Sequence, residues 1–168
     1  MDNNNDAILR EMTEQSDEIF FIYDPHKSRF TYVNTAFEEI TKKSSKELYE
    51  NPLSLLEMIH PEDVGYVKKN FALFDNRKTT SMLDFRIIRP DKVERWLRLK
   101  VYPILHEGKV QHITGVAEDD SARKAAIFNM QKVNGWKDSI LDILAHDLRG
   151  PIGTVSYTHL TLPTNREV

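Results

Sequence analysis

Hydrophobic and polar positions divide this chain into stretches of different period. A short helical lead is expected around Ala7 to Gln15, followed by the apolar, β-prone run Ile19 to Tyr23, which Asp24-Pro25 ends; Arg29 to Asn34 makes a second strand. Two strands with a turn between them predict a hairpin. Asn34 is then placed to cap a short helix carrying Ala36, Phe37 and Ile40, and Ser44 with Glu47 has capping-box spacing for another. His60-Pro61-Glu62-Asp63 reads as the start of a longer helix, proline first and two acids in the opening turn. Its Val64, Val67, Phe71 and Phe74 form one stripe that should face a sheet.

From Ser81 the period falls to two. Leu83, Phe85 and Ile87 alternate with Met82, Asp84 and Arg86 up to the turn Arg89-Pro90-Asp91-Lys92. Leu97, Leu99 and Val101 alternate with Trp96, Arg98, Lys100 and Tyr102, Glu107-Gly108 turns the chain again, and a last strand spans about Val110 to Ala117. Strands at both ends with helices between them predict an α+β fold, one five-stranded antiparallel sheet with its short helices on one face. Beyond Glu118-Asp119-Asp120-Ser121 a helical pattern takes over. Its seam candidates Ala126, Met130, Val133, Trp136, Ile140 and Ile143 are spaced four, three, three, four and three apart, so the heptad slips beside Gly135. Glycine weakens a helix by about 1 kcal/mol against alanine, which marks Gly135 and Trp136 as a pliable point.

Composition narrows the chemistry. The 168 residues give room for one domain and an appendage, and 40% hydrophobic with 29% charged residues suits a globular protein. A formal net charge of −3 supplies no basic excess for nucleic acid or an anionic membrane. The absence of cysteine excludes disulfides, thiolate metal sites and cysteine nucleophiles. The polar start Met1-Asp2-Asn3-Asn4-Asn5-Asp6 is unlike a secretory signal, and the run Ile19 to Tyr23 is far shorter than the roughly 20 residues of a membrane span, so a cytoplasmic location is expected.

Two segments carry a family resemblance. The strand–strand–helices–strand–strand–strand order, with "IHPEDVGYV" and "FRIIRP…WLRLKVYPI…GKVQHITGVAEDDSARK", resembles a PAS sensor domain with its C-terminal motif. "SILDILAHDLRGPIGTV", Ser139 to Val155, resembles the H-box on the first helix of the dimerisation and phosphoacceptor domain of sensor histidine kinases. The expected organisation is a lead at 1–13, a PAS domain at 14–120, a signalling helix at 121–138, a truncated phosphoacceptor helix at 139–155 and a non-native tail at 156–168, where Pro163 and three threonines break the apolar period.

His146 carries the chemistry. It follows the apolar stretch Ile140, Leu141, Ile143, Leu144 and has Asp147 beside it. A neutral imidazole nitrogen is a competent nucleophile near pH 7, its ordinary pKa being about 6.5. The resemblance implies that His146 takes the γ-phosphoryl of ATP, that Asp147 orients the ring or accepts its proton, and that the phosphoryl passes to an aspartate of a response regulator. Pro151 should bend the helix after the histidine. Gly150 departs from the usual Asn, Thr or Ser four residues after the histidine, which leaves reverse phosphatase activity open.

The resemblance also implies that Asp119, Ser121 and Arg123 join the last strand to the output helix, with a solvated helix start as the plainer reading. Signal would pass through them to Gly135 and Trp136. Partners implied are a second copy through the C-terminal helix, a kinase catalytic domain and a response regulator. No prosthetic group is expected, because the helix after Pro61 offers no axial histidine and there is no cysteine for a covalent flavin. ATP and Mg belong to a catalytic domain, for which these residues hold no glycine-rich phosphate cradle. The aromatics Phe20, Phe21, Phe30, Tyr32, Phe37, Phe71, Phe74 and Phe85 are read first as core, with a ligand cavity as the alternative. The competing function is a ligand-binding or interaction module of the same fold whose last helix only dimerises.

Overall fold

In the computed structural model the backbone is described for residues 2–74 and 79–166, and side chains for residues 4–72 and 79–147. Five strands, β1 (Ile19–Asp24), β2 (Arg29–Val33), β3 (Ser81–Ile88), β4 (Glu94–His106) and β5 (Lys109–Asp119), form one antiparallel sheet in the order β2-β1-β5-β4-β3. Helix α1 (Asp2–Glu14) precedes the sheet; α2 (Ala36–Thr41), α3 (Ser45–Glu50), a 3-10 helix (Pro52–Met58) and α4 (Val64–Phe74) lie between β2 and β3. Helix α5 is Ser121–Arg166. The chain has two compact units, Met1–Ala122 and Arg123–Val168.

The period-two pattern is an accurate guide because one sheet face is buried and the other is not. Leu83, Phe85 and Ile87 of β3, Leu97, Leu99 and Val101 of β4, and Ile113 and Ala117 of β5 are all buried, and Phe37, Leu48, Met58 and Val67 from the helices complete the core. Glu107 and Gly108 both have positive φ, 50° and 76°, in the two-residue loop between β4 and β5. That geometry matches the twist of the two strands and requires a glycine or another tolerant residue.

Three local expectations change. Asn34 does not cap α2, whose N-cap is Thr35 without a side-chain bond. It is only 1% exposed; its amide oxygen accepts the Phe20 N–H at 2.9 Å, and its amide nitrogen donates to the carbonyls of Glu18 at 2.8 Å and Thr13 at 2.6 Å. The Ser44–Glu47 box is half-formed: Ser44 Oγ accepts from the Lys46 N–H, while Glu47 pairs with Lys43 at 2.8 Å. Pro61 does not open α4, because residues 60–63 form a turn closed by Asp63 N–H to the His60 carbonyl at 2.8 Å.

The turn's acids serve Arg86 of β3 rather than the helix dipole. Asp63 Oδ2 accepts both the Arg86 backbone N–H at 2.8 Å and its Nε at 3.0 Å, and Arg86 Nη2 reaches Asp63 Oδ1 at 2.7 Å and Glu62 Oε2 at 2.8 Å. The guanidinium also lies 5.5 Å from the ring centre of Trp96. The Arg86 side chain holds the Asp63 carboxyl below its ordinary range, against a smaller opposing effect of desolvation. A depressed carboxyl stabilises the fold above its unfolded pKa of about 3.9, and the contribution disappears as pH falls through the lower folded value. The melting temperature of Asp63→Asn should therefore trail wild type at pH ~7, and the gap should close in acid.

Candidate functional site

The first compact unit contains a cavity of about 290 Å³ between the sheet and its helices. Phe21, Phe30, Phe37, Phe85, Leu99 and Ile113 are among its lining residues, so several of the aromatics assigned to the core also enclose a space, whereas Phe20 and Tyr32 do not line it. Phe21 meets Phe30 edge-on with ring centres 5.6 Å apart, and Phe30 meets Tyr23 in the same way at 5.1 Å. Phe21 lies opposite Gly115 of β5, and a Cβ at Gly115 would collide with the Phe21 ring. Glycine there lets the ring lie flat across the strand beside it.

Of the α4 stripe, Val67 is fully buried and Phe71 lines the cavity with 38% exposure. The Phe74 side chain lies outside the described residues. Among the described residues no cluster of His, Cys, Asp and Glu could hold a metal ion.

The end of the sheet is tied to the start of α5 by several bonds. Asp119 Oδ1 accepts the Ser121 N–H at 3.0 Å, Ser121 Oγ accepts the Trp96 N–H at 2.9 Å, and the Asp120 N–H donates to the Trp96 carbonyl at 2.9 Å. Asp119 and Ser121 are thus brought together, and Trp96, whose backbone holds both ends of this junction, joins them. Arg123 is exposed in the second unit.

Arg98 also belongs here. Its Nε and Nη2 bond both oxygens of Asp84 at 3.0 and 3.1 Å, and Nη2 and Nη1 lie 3.3 Å from Asp120 and 3.8 Å from Glu118. Cross-strand register makes this possible, with Arg98 paired to Asp84 on one side and Glu118 on the other. Sequence alternation set Asp84 and Arg98 out of phase with the core residues but could not reveal which residues would stand opposite which.

Helix α5 runs without interruption through Gly135 and Trp136. A Cβ at Gly135 would meet nothing within 4 Å, and Ser139 Oγ donates back to the Gly135 carbonyl at 2.9 Å, a bond that favours a slight bend. Gly135→Ala should therefore be accepted without clash and stabilise the helix by about 1 kcal/mol, visible in a circular-dichroism melt. Met130, Val133, Trp136, Ile140 and Ile143 are all exposed, as are Leu141 and Leu144.

Near the end of the described side chains stands His146, 91% exposed, with Nδ1 3.5 Å from Oδ1 of Asp147. At that length and exposure the contact is a weak orienting one, easily exchanged for water. The ring is reachable from solvent, and a carboxylate is at hand. The side chains of Gly150, Pro151 and the segment 156–168 lie outside the described residues, while the backbone of α5 is assigned as one helix from Ser121 to Arg166, with no break at Pro151.

Comparison with known proteins agrees with this architecture. A search of curated proteins gives no match. Among solved structures, a domain of a light and redox sensing histidine kinase from Haloarcula marismortui is 27% identical, with a TM-score of 0.56, covering 67% of this chain and 97% of that one. The sensory box histidine kinase/response regulator from Burkholderia thailandensis is 16% identical, with a TM-score of 0.60, covering 77% of this chain and 97% of its own. The N-terminal domain of a diguanylate cyclase with PAS/PAC sensor from Marinobacter aquaeolei is 18% identical, with a TM-score of 0.59, covering 64% and 98%. The family model described as PAS fold matches residues 30–117, from β2 almost to the end of β5. With that match spanning more than half of its residues, and with the sheet, helices and strand order set out above, the chain belongs to the PAS-fold family of sensor domains.

Proposed function

We propose that the chain is the sensory and phosphoacceptor portion of a two-component histidine kinase, acting in the cytoplasm. The observation that carries this reading is the exposed imidazole of His146 on a helix that starts directly from the last PAS strand, with Asp147 beside it. In the reaction, an imidazole nitrogen attacks the γ-phosphorus of ATP, the N–P bond forms, the bond to the β-phosphate oxygen breaks, and ADP leaves. The ring proton passes to a neighbouring base, a role that falls to Asp147 in this reading. ATP and Mg are held by a kinase catalytic domain outside these residues. A response-regulator aspartate then takes the phosphoryl group.

Two further observations support the reading. The exposed apolar residues of α5 suit pairing with the same helix of a second copy, where heptad-like side chains leave water. The similar domains from Haloarcula and Burkholderia come from proteins described as histidine kinases. No described helix is long and apolar enough to cross a membrane.

The test supplies ATP and a purified kinase catalytic domain to the whole chain and follows acid-labile, alkali-stable label. Label that disappears in His146→Gln supports the proposal. Its absence from a folded, dimeric chain would instead favour a sensor or interaction module whose helix only dimerises.

A further inference from the structure

We infer that a groove beside the edge strand β3 binds a small organic dianion, a doubly charged end such as a phosphate monoester carried on an apolar body. The inference goes beyond the phosphotransfer function proposed above and does not depend on it. The groove measures about 570 Å³. Three segments form most of it: Lys42, Lys43 and Ser44 between α2 and α3; Glu57, Met58 and Ile59 at the end of the 3-10 helix; and Ile88, Arg89, Pro90 and Lys92 where β3 turns into β4. Four of the lining residues are cations and two, Glu47 and Glu57, are acids, in a chain whose formal net charge is −3.

The four cations divide into two pairs. Lys43 and Arg89 are already committed. Lys43 Nζ donates to the Ser54 carbonyl at 3.2 Å and pairs with Glu47 at 2.8 Å and Glu57 at 4.0 Å, which engages both acids of the groove. Arg89 Nε and Nη2 hold the two oxygens of Asp91 at 3.1 and 2.6 Å. Lys42 and Lys92 form the second pair, and among the described residues neither ammonium group has a hydrogen bond or an ion pair. Their backbones are nevertheless fixed. Each has a positive φ, 57° and 66°, and each N–H is bonded at 2.9 Å, Lys42 to the Glu38 carbonyl and Lys92 to the Arg89 carbonyl. Two exposed ammonium groups thus start from set points on separate loops of one groove. A dianion between them gains twice the attraction of a monoanion, and a lysine serves phosphate as a point charge without the fixed fork of arginine. The apolar body has its own contact surface. Met58 and Ile59, 5% and 7% exposed, line the groove together with Ile88 and Pro90, so hydrocarbon placed there leaves water while the charged end remains with the lysines.

Phenyl phosphate is the probe, titrated into the full chain at pH ~8, where it is doubly charged, at constant ionic strength and followed by amide NMR. It should shift the amides of Lys42, Lys43, Lys92 and Val93 saturably. Inorganic phosphate, which lacks the ring, and phenol, which lacks the charge, should each bind there at least about fivefold more weakly. Asparagine tolerates positive φ, so the double variant Lys42→Asn, Lys92→Asn keeps the backbone and should weaken phenyl phosphate by about fivefold or more. Lys100→Asn removes a charge from β4 outside the groove and should leave binding within about twofold. No saturable shift at these amides, equal binding of phenol or inorganic phosphate, undiminished binding by the folded double variant, or an equal loss in Lys100→Asn would overturn the inference. Phosphorylation does not enter the readout, so its outcome is separable from that of His146.

Discussion

Asn34→Ala should cost the PAS unit about 3 kcal/mol or more in urea denaturation, a large share of the roughly 5–15 kcal/mol that holds an ordinary domain folded. The side chain is small, but it satisfies three backbone groups at once: the Phe20 N–H and the carbonyls of Glu18 and Thr13. Alanine leaves the Phe20 donor and Glu18 acceptor facing a space that water enters poorly, and each buried unsatisfied group costs about 1–3 kcal/mol. Thr13 is partly compensated, because its carbonyl also accepts the Ser16 N–H at 3.3 Å. Asn34→Asp makes a sharper test. Its carboxylate keeps the acceptor for Phe20 but turns negative charge toward two carbonyl oxygens. At pH ~7 it should be at least as damaging as alanine, and it should recover part of the loss in acid, where the protonated carboxyl can donate once. A change below about 1 kcal/mol in Asn34→Ala would show that the three bonds contribute little.

Arg98→Met should loosen the junction between the sheet and α5 while leaving the apolar core intact. Methionine retains much of the aliphatic stem, so the main loss is the charged head. Asp84, Glu118 and the 5%-exposed Asp120 would then each lose the Arg98 guanidinium. The loss matters most at Asp120, whose N–H holds the Trp96 carbonyl and which begins the turn into α5. Amide hydrogen exchange should therefore accelerate about tenfold or more at Asp120, Ser121 and Ala122, with the amides of Leu83 and Leu99 little changed. Under the proposed function, the response of His146 phosphorylation to the sensor state should weaken in parallel. Unchanged exchange at those amides would mean that the Trp96 and Asp119 bonds hold the junction without Arg98. Gly135→Ala examines the same route farther along, and a phosphorylation response equal to wild type would count against a pliable point there.

Much of the architecture can be read from the amino acids because burial is one-sided. Leu83, Phe85, Ile87, Leu97, Leu99 and Val101 repeat with the period of a pleated sheet, and Glu107-Gly108 has the backbone freedom its tight turn needs. What escaped detection depends on partners distant in the chain. Pro61 reads as a helix start until Arg86, 23 residues beyond Asp63, draws that acid into a turn. Asn34 reads as a cap because capping is its commonest local use, whereas here its amide joins α1, β1 and β2. The Arg98 cluster depends on register, and the cavity on volumes left among side chains that composition alone assigns to a core. The resemblance around His146 to an H-box is legible as a short local motif, and the structure adds the exposure of the histidine.

The most direct measurement of the central claim is localisation of the phosphoryl group by fragmentation mass spectrometry at alkaline pH, after the intact chain has been incubated with ATP and a histidine-kinase catalytic domain. One phosphoramidate is expected, on the imidazole of His146. A phosphoryl group found only on serine or threonine, or a folded dimer that acquires none, would contradict it.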